Sequence, residues 1–366
     1  MLLKDYISVA YCGKIAQSMA DCLPGFPEEE FLGLVLDEFW DAKALKQRGK
    51  HIASCLHHFL PQPFSNAASV LVEWVKIRLA NHETGGIEAL WLPDYIELFG
   101  TDDPQAAFAA MEWITCYFSC EFAIRVFWLH FPEQTFLQSL AWAKHANPAV
   151  RRLASEGSRP KLPWGMKVEY LLKHPEKGLV ILELLKEDPS EFVRRSVANH
   201  INDLSKEHPQ VVYELMLRWQ QLQSPETNWI LKHGARTLLK KGNLEVMSQF
   251  GFEQHSDLQT DALQLEQPLV RIGGDLHFVS VIRNLSALAL DVRAELVVYF
   301  PRNQRPDLRK VFQLGEKKLQ PNEEWRIHRK QHFKPIRTRT YYPGLHRIAL
   351  QVNGKEQDAV AFELQA

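Results

Sequence analysis

From Asp5 to about Phe252 apolar residues recur every three or four positions, and Pro and Gly fall between the periodic segments rather than inside them. That period predicts amphipathic helices throughout this part of the chain. After the polar stretch 253–260 the period changes to two. Leu276, Phe278, Val279 and Val281 follow the Gly273-Gly274 pair, then come Leu290, Val292, Ala294, Leu296 and Val298, and later Leu345 to Val352 and Val360 to Leu364. Short strands separated by Pro and Gly turns predict a β-sandwich of roughly 100 residues. The expected architecture is mainly α, with a helical domain over 1–258 and a sandwich over 262–366.

Three helical segments resemble one another: Asn147-Pro148-Ala149-Val150-Arg151-Arg152, Asp188-Pro189-Ser190-Glu191-Phe192-Val193-Arg194-Arg195 and Ser224-Pro225-Glu226-Thr227. Each offers a capping residue followed by Pro at the first helical position. The prolines are 41 and 36 residues apart, near the period of roughly 40–47 that HEAT-type helical repeats show. The helices are therefore expected to stack as a solenoid. In the middle segment Val193, Val197, Ile201 and Leu204 share one side, and Arg195, Asn199 and Asp203 are expected to look outward from the other. Superposing the repeats sets Arg152 on Arg195 and Glu156 on Asn199, and a looser match adds Lys232 and Arg236. The result is an expected ladder of basic side chains suited to phosphate, since arginine offers a planar fork of donors.

Composition changes this picture little, but charge along the chain changes it more. The 366 residues are 46% hydrophobic and 24% charged, with a net charge of −1. Residues 1–120 hold 8 Lys/Arg against 16 Asp/Glu, 121–266 hold 18 against 18, and 267–366 hold 17 against 10. Neutrality is thus a cancellation between an acidic start and a basic end. Within the sandwich, 302–347 carries 13 basic against 4 acidic residues, among them Arg329, Lys334, Arg337 and Arg339, expected to grip a phosphodiester backbone. The 5 cysteines are an odd number without a pairing rhythm, which suggests reduced thiols and a cytoplasmic protein. No signal peptide or apolar run of membrane length is seen, so no membrane partner is expected. No P-loop, dinucleotide fingerprint or H-E-x-x-H occurs, so neither cofactor nor metal is implied.

The most suggestive local feature is Ser155-Glu156-Gly157-Ser158-Arg159-Pro160-Lys161-Leu162-Pro163-Trp164-Gly165, a carboxylate at a helix end followed by a Pro-stiffened loop. Trp164 there is either a core aromatic or a functional one. Upstream, Glu121 and Arg125 stand four residues apart in an apolar stretch and are expected to pair with each other.

Residues 147–164 and the block Asp188 to Pro209, together with Ile272-Gly273-Gly274-Asp275-Leu276 and Arg339-Thr340-Tyr341-Tyr342-Pro343-Gly344-Leu345-His346-Arg347, resemble the AlkC branch of the HEAT-like-repeat alkylpurine DNA glycosylases. The resemblance spans essentially the whole chain. It implies a C-terminal immunoglobulin-like domain and a monomeric bacterial DNA-repair enzyme. Its activity would be excision of cationic N3-alkylated bases, 3-methyladenine and 3-methylcytosine, from duplex DNA by hydrolysis, without metal and without an enclosing pocket for a flipped base. Matched residue by residue, it implies that Glu156, first among three carboxylates with Glu121 and Asp203, stabilises positive charge on the deoxyribose. Trp164 would lie against the sugar or lesion, and Arg152, Arg159, Lys161 and Arg195 beside the DNA. The rival reading is a non-enzymatic scaffold that binds nucleic acid or protein through the same ladder.

Overall fold

The computed structural model describes residues 2–336 and 339–366. Arg337 lies outside the described residues. Among those described, sixteen α-helices run from Val9 to Gln249 and ten strands follow from Leu258 to Gln365. This is a HEAT-like helical array followed by an immunoglobulin-like β-sandwich. No helix among the described residues is long and apolar enough to cross a membrane.

Packing divides the chain at different places from the secondary structure. One compact unit comprises residues up to His208 with Leu222–Gly234, and the other comprises Pro209–Gln221 with Ala235–Ala366. The helices Pro209–Gln220, Arg236–Lys241 and Leu244–Gln249 therefore belong with the strands. A close backbone crossing shows why. Gly242 ends the Arg236–Lys241 helix in the left-handed region at φ 70°, against the turn at Gly354, where an added Cβ would stand 2.7 Å from the Gly354 carbonyl oxygen. Asn353 extends this junction by donating to the Glu253 carbonyl at 2.8 Å.

In the helical unit the repeat signals work out in detail. Asn147 caps the helix Pro148–Gly157 by accepting from Ala149 N at 2.8 Å, with Pro148 at the first position as expected. The middle helix differs: it begins at Glu191 with Ser190 at the N-cap, two residues later than the Asp188-Pro189 signal predicts. Asp188 is drawn elsewhere, into a two-pronged ion pair with Arg151 of the preceding repeat at 2.6 and 3.0 Å. Arg151 and Arg194 then do the same job in their two repeats. The Arg151 Nη1 donates to the carbonyls of His145 and Ala146 at 2.9 and 2.7 Å, and the Arg194 Nη1 to those of Asp188 and Pro189 at 2.8 and 2.9 Å. The first arginine of each pair braces the turn before its helix, which leaves the second, Arg152 or Arg195, for other partners.

The sandwich comprises β1 (Leu258–Thr260), β2 (Gln264–Leu265), β3 (Leu269–Arg271), β4 (Asp275–Asn284), β5 (Leu290–Arg302), β6 (Arg305–Leu319), β7 (Glu324–His332), β8 (Gly344–Val352), β9 (Lys355–Glu356) and β10 (Val360–Gln365). One sheet centres on β4, which pairs antiparallel with β7 and with both β1 and β2. The other runs β3-β10-β8-β5-β6, with β9 beside β8 and only β3–β10 parallel. Phe278, Leu296, Phe300, Phe333, Leu350 and Phe362 fill the space between the sheets.

Candidate catalytic carboxylates and the Trp164 loop

The helix Pro148–Gly157 ends at Gly157, where a side chain is excluded because an added Cβ would lie 2.6 Å from Ile124 Cγ2. That stop places Glu156 in its last turn, facing the helix Glu191–Glu207. Glu156 Oε1 accepts from Arg159 at 2.5 Å, and Oε2 accepts from the Ser196 hydroxyl at 2.5 Å. Arg159 turns its Nε to Asp203 at 2.8 Å, and Asp203 in turn takes Lys206 at 3.2 Å. On the other side Arg152 lies 3.8 Å from Glu156 and donates to Glu121 at 2.9 Å. The three carboxylates expected to act together are thus joined in one line through Arg152 and Arg159, and Lys206 makes the local charge balance even.

The members differ in access, and this separates their chemistry. Glu156 is 4% exposed, Asp203 2% and Arg159 6%. Arg159 thus lies inside the unit as the clasp between two carboxylates, not on an outward phosphate-facing ladder. Burial opposes its charge, but the pairs with Glu156 and Asp203 outweigh that and hold its guanidinium above the ordinary value. Asp203 also departs from the expected outward stripe. A four-residue step advances about 40° round a helix, so Arg195 is exposed, Asn199 half-buried and Asp203 buried.

Glu121 sits at the edge. It is half-buried, its Oε2 accepts from Ser119 at 3.1 Å and from Arg152, and no protein group among the described residues bonds its Oε1. Arg152 is also half-buried, held between Glu121 and Glu156 with its guanidinium 4.7 Å from the Phe192 ring centre. Behind the cluster His200 is buried, its Nδ1–H donating to the Ser155 carbonyl at 3.2 Å, and burial pushes it down to about 4, so its ring is neutral.

Arg125 does not pair with Glu121 as expected. It is fully buried and donates to the carbonyls of Arg159 at 2.9 Å, Pro160 at 3.2 Å and Met166. Burial, with the Arg159 guanidinium near, holds it down at about 10. Its role is to shape the loop 158–168, which Lys46 ties from the helix Leu45–His57 by donating to the Trp164 carbonyl. Trp164 itself is 63% exposed with φ at 63°. An indole in the left-handed region is an outlier for a bulky residue, so this aromatic is presented, not packed. Sequence reasoning missed Arg125 as a loop anchor, along with Lys46, Ser119, Ser196 and His200; none lies in a recognisable spacing with its partner.

The remaining expected basic residues are spread. Arg195 is exposed and takes Glu191 at 2.5 Å, Lys161 reaches Glu207, and Lys232 is exposed. Lys232 and Arg236 fall in different packing units. Arg329 and Lys334 are exposed on the sandwich, while Arg339 is half-buried with its guanidinium 4.3 Å from the Phe300 ring centre.

Helical repeats that present such a cluster, followed by an immunoglobulin-like domain, define the class of protein. The family described as YhaZ, C-terminal Ig-like domain, matches residues 259–366. The chain is 34% identical over 362 residues to the uncharacterized protein YhaZ of Bacillus subtilis, covering 99% of each. It also matches the structure of the Pseudomonas fluorescens alkylpurine DNA glycosylase AlkC bound to DNA containing an abasic site analog, with 31% identity, a TM-score of 0.93 and full coverage of both chains. The chain belongs to the AlkC-type family.

Proposed function

We propose that this protein is a DNA glycosylase that hydrolyses the N-glycosidic bond of cationic N3-alkylated bases, 3-methyladenine and 3-methylcytosine, in duplex DNA. The observation that carries the reading is the line Glu121–Arg152–Glu156–Arg159–Asp203 beside a presented Trp164, on a chain that matches an AlkC structure from end to end.

An N3-alkylated base already bears a positive charge, so it leaves as a neutral molecule and needs no proton from an acid. The barrier lies in the charge that passes to the deoxyribose as the bond breaks. A carboxylate near C1′ stabilises that charge and positions water. Glu121 fits this role better than Glu156, because its Oε1 keeps free lone pairs while both oxygens of Glu156 are occupied. In the proposed step the C1′–N bond breaks with its electron pair going to the base. Water adds to C1′, and its proton passes to Glu121 and on to solvent. Glu156 and Asp203 hold Arg152 and Arg159 in place, and Trp164 lies against the sugar or the lesion. Because Glu156, Asp203 and Arg159 fill the ground beneath the site with their own side chains, we propose that the base reacts without entering a protein pocket. Phosphates would meet Arg195, Lys161, Arg329 and Lys334.

The test is single-turnover release on a duplex with one 3-methyladenine, with Kd measured in parallel. Glu121→Gln is expected to slow release by about 10²–10³-fold at nearly unchanged Kd. A smaller loss than in Glu156→Gln would assign the water to Glu156 instead.

A further inference from the structure

Glu266, His277 and His328 lie far apart in sequence, but the strand pairing places them on one face of the β4-centred sheet. β2 pairs Gln264 with Val279 and Leu265 with Phe278, and the Glu266 N–H donates to the His277 carbonyl at 3.1 Å, so Glu266 stands opposite His277. Across β7, His328 pairs with Val279, two residues further along the same face. This is the diagonal relation that long side chains span on a sheet. One donor atom from each of the three residues lies within 4.8 Å of the other two. His328 Nε2 and Glu266 Oε1 already share a hydrogen bond of 2.7 Å.

We propose that these residues form a binding site for a divalent first-row transition ion of the zinc type. Two imidazoles and one carboxylate are the donor set that zinc takes with an open fourth position, and nitrogen donors disfavour calcium and magnesium. Donor atoms around such an ion lie roughly 3.3 Å apart, given metal–ligand bonds of about 2.0–2.1 Å, so rotations of exposed side chains close the site with no change in the sheet. The backbone ladders that hold three adjacent strands preorganise it. The neighbouring Lys330, opposite His277, is already neutralised by Asp275 at 2.8 Å and so does not oppose a second cation. Glu266 and His328 are exposed and His277 is half-buried, which leaves the fourth position to water or an anionic oxygen.

The full-length chain, stripped with a chelator, would be titrated with Zn2+ by calorimetry and with Co2+ by visible absorption. One equivalent is expected, with the d–d bands of a nitrogen- and oxygen-ligated ion and a raised thermal midpoint. His328→Gln, at an exposed position, should weaken binding at least about tenfold, and His332→Gln should leave it unchanged. The proposal is overturned if about 100 µM Zn2+ does not bind, or if His328→Gln together with Glu266→Gln binds as the unaltered chain does. Both readouts are independent of glycosylase activity.

Discussion

Among single residues, Asp94 is a carboxylate buried in the helix Trp91–Phe99. It is 3% exposed, its Oδ2 has no hydrogen-bond partner, and burial, with Glu97 near, pushes its carboxyl up to about 7. Between about pH 4 and 7 the folded chain holds a proton that the unfolded chain has released, so folding stability falls as pH rises through that window and levels off above it. Asp94→Asn removes the penalty, at most about 4 kcal/mol. Its thermal midpoint should exceed that of the unaltered chain at pH 8, with the advantage vanishing near pH 4; a lower midpoint at pH 8 would contradict the sign. Asp94 also illustrates what was illegible at this scale. An acidic side chain in a helix reads as solvated, and only the packing of Gly49 against it, where an added Cβ would lie 2.3 Å from Oδ2, reveals its burial. Glu156 and Trp164 were legible as the two ends of a Pro-stiffened loop, whereas Glu121 became a candidate only through the resemblance, since its spacing to Arg125 reads as an ion pair. Their ranking was not legible, since access and hydrogen-bond occupancy depend on Ser119 and Ser196, which local sequence does not connect to them.

For the elements, repeat spacing foretold the helices, and the equivalence of Arg151 with Arg194 followed from the shared Val-Arg-Arg signature. What failed was the assumption that four-residue spacing keeps one face from Arg195 to Asp203, about two turns, which misplaced Asp203. The loop 158–168 was legible as a Pro-stiffened connection, yet Arg125 and Lys46, which shape it, belong to other helices. This loop yields a test that separates function from packing. Glycine adopts the φ of 63° found at Trp164 without steric cost, and the indole covers no core. Trp164→Gly should therefore keep or slightly raise the midpoint for unfolding while base release falls by about tenfold or more, in line with the loss of a contact of roughly 1–2 kcal/mol. Lost stability with retained activity would make Trp164 a structural residue.

Taken as a whole, the molecule shows that a net charge of −1 hides an acidic start, a middle of balanced charge and a basic sandwich. The change of period near residue 260 made the two kinds of architecture legible, but not the grouping of three helical segments with the strands, where Gly242 at the end of one of those helices meets the turn at Gly354. The most direct measurement is to incubate the protein with duplex DNA carrying 3-methyladenine, without added metal, and to follow free base and abasic sites together. Both are expected in equal amounts, catalytically; tight binding of the duplex with no base released would contradict hydrolysis of the N-glycosidic bond by this protein.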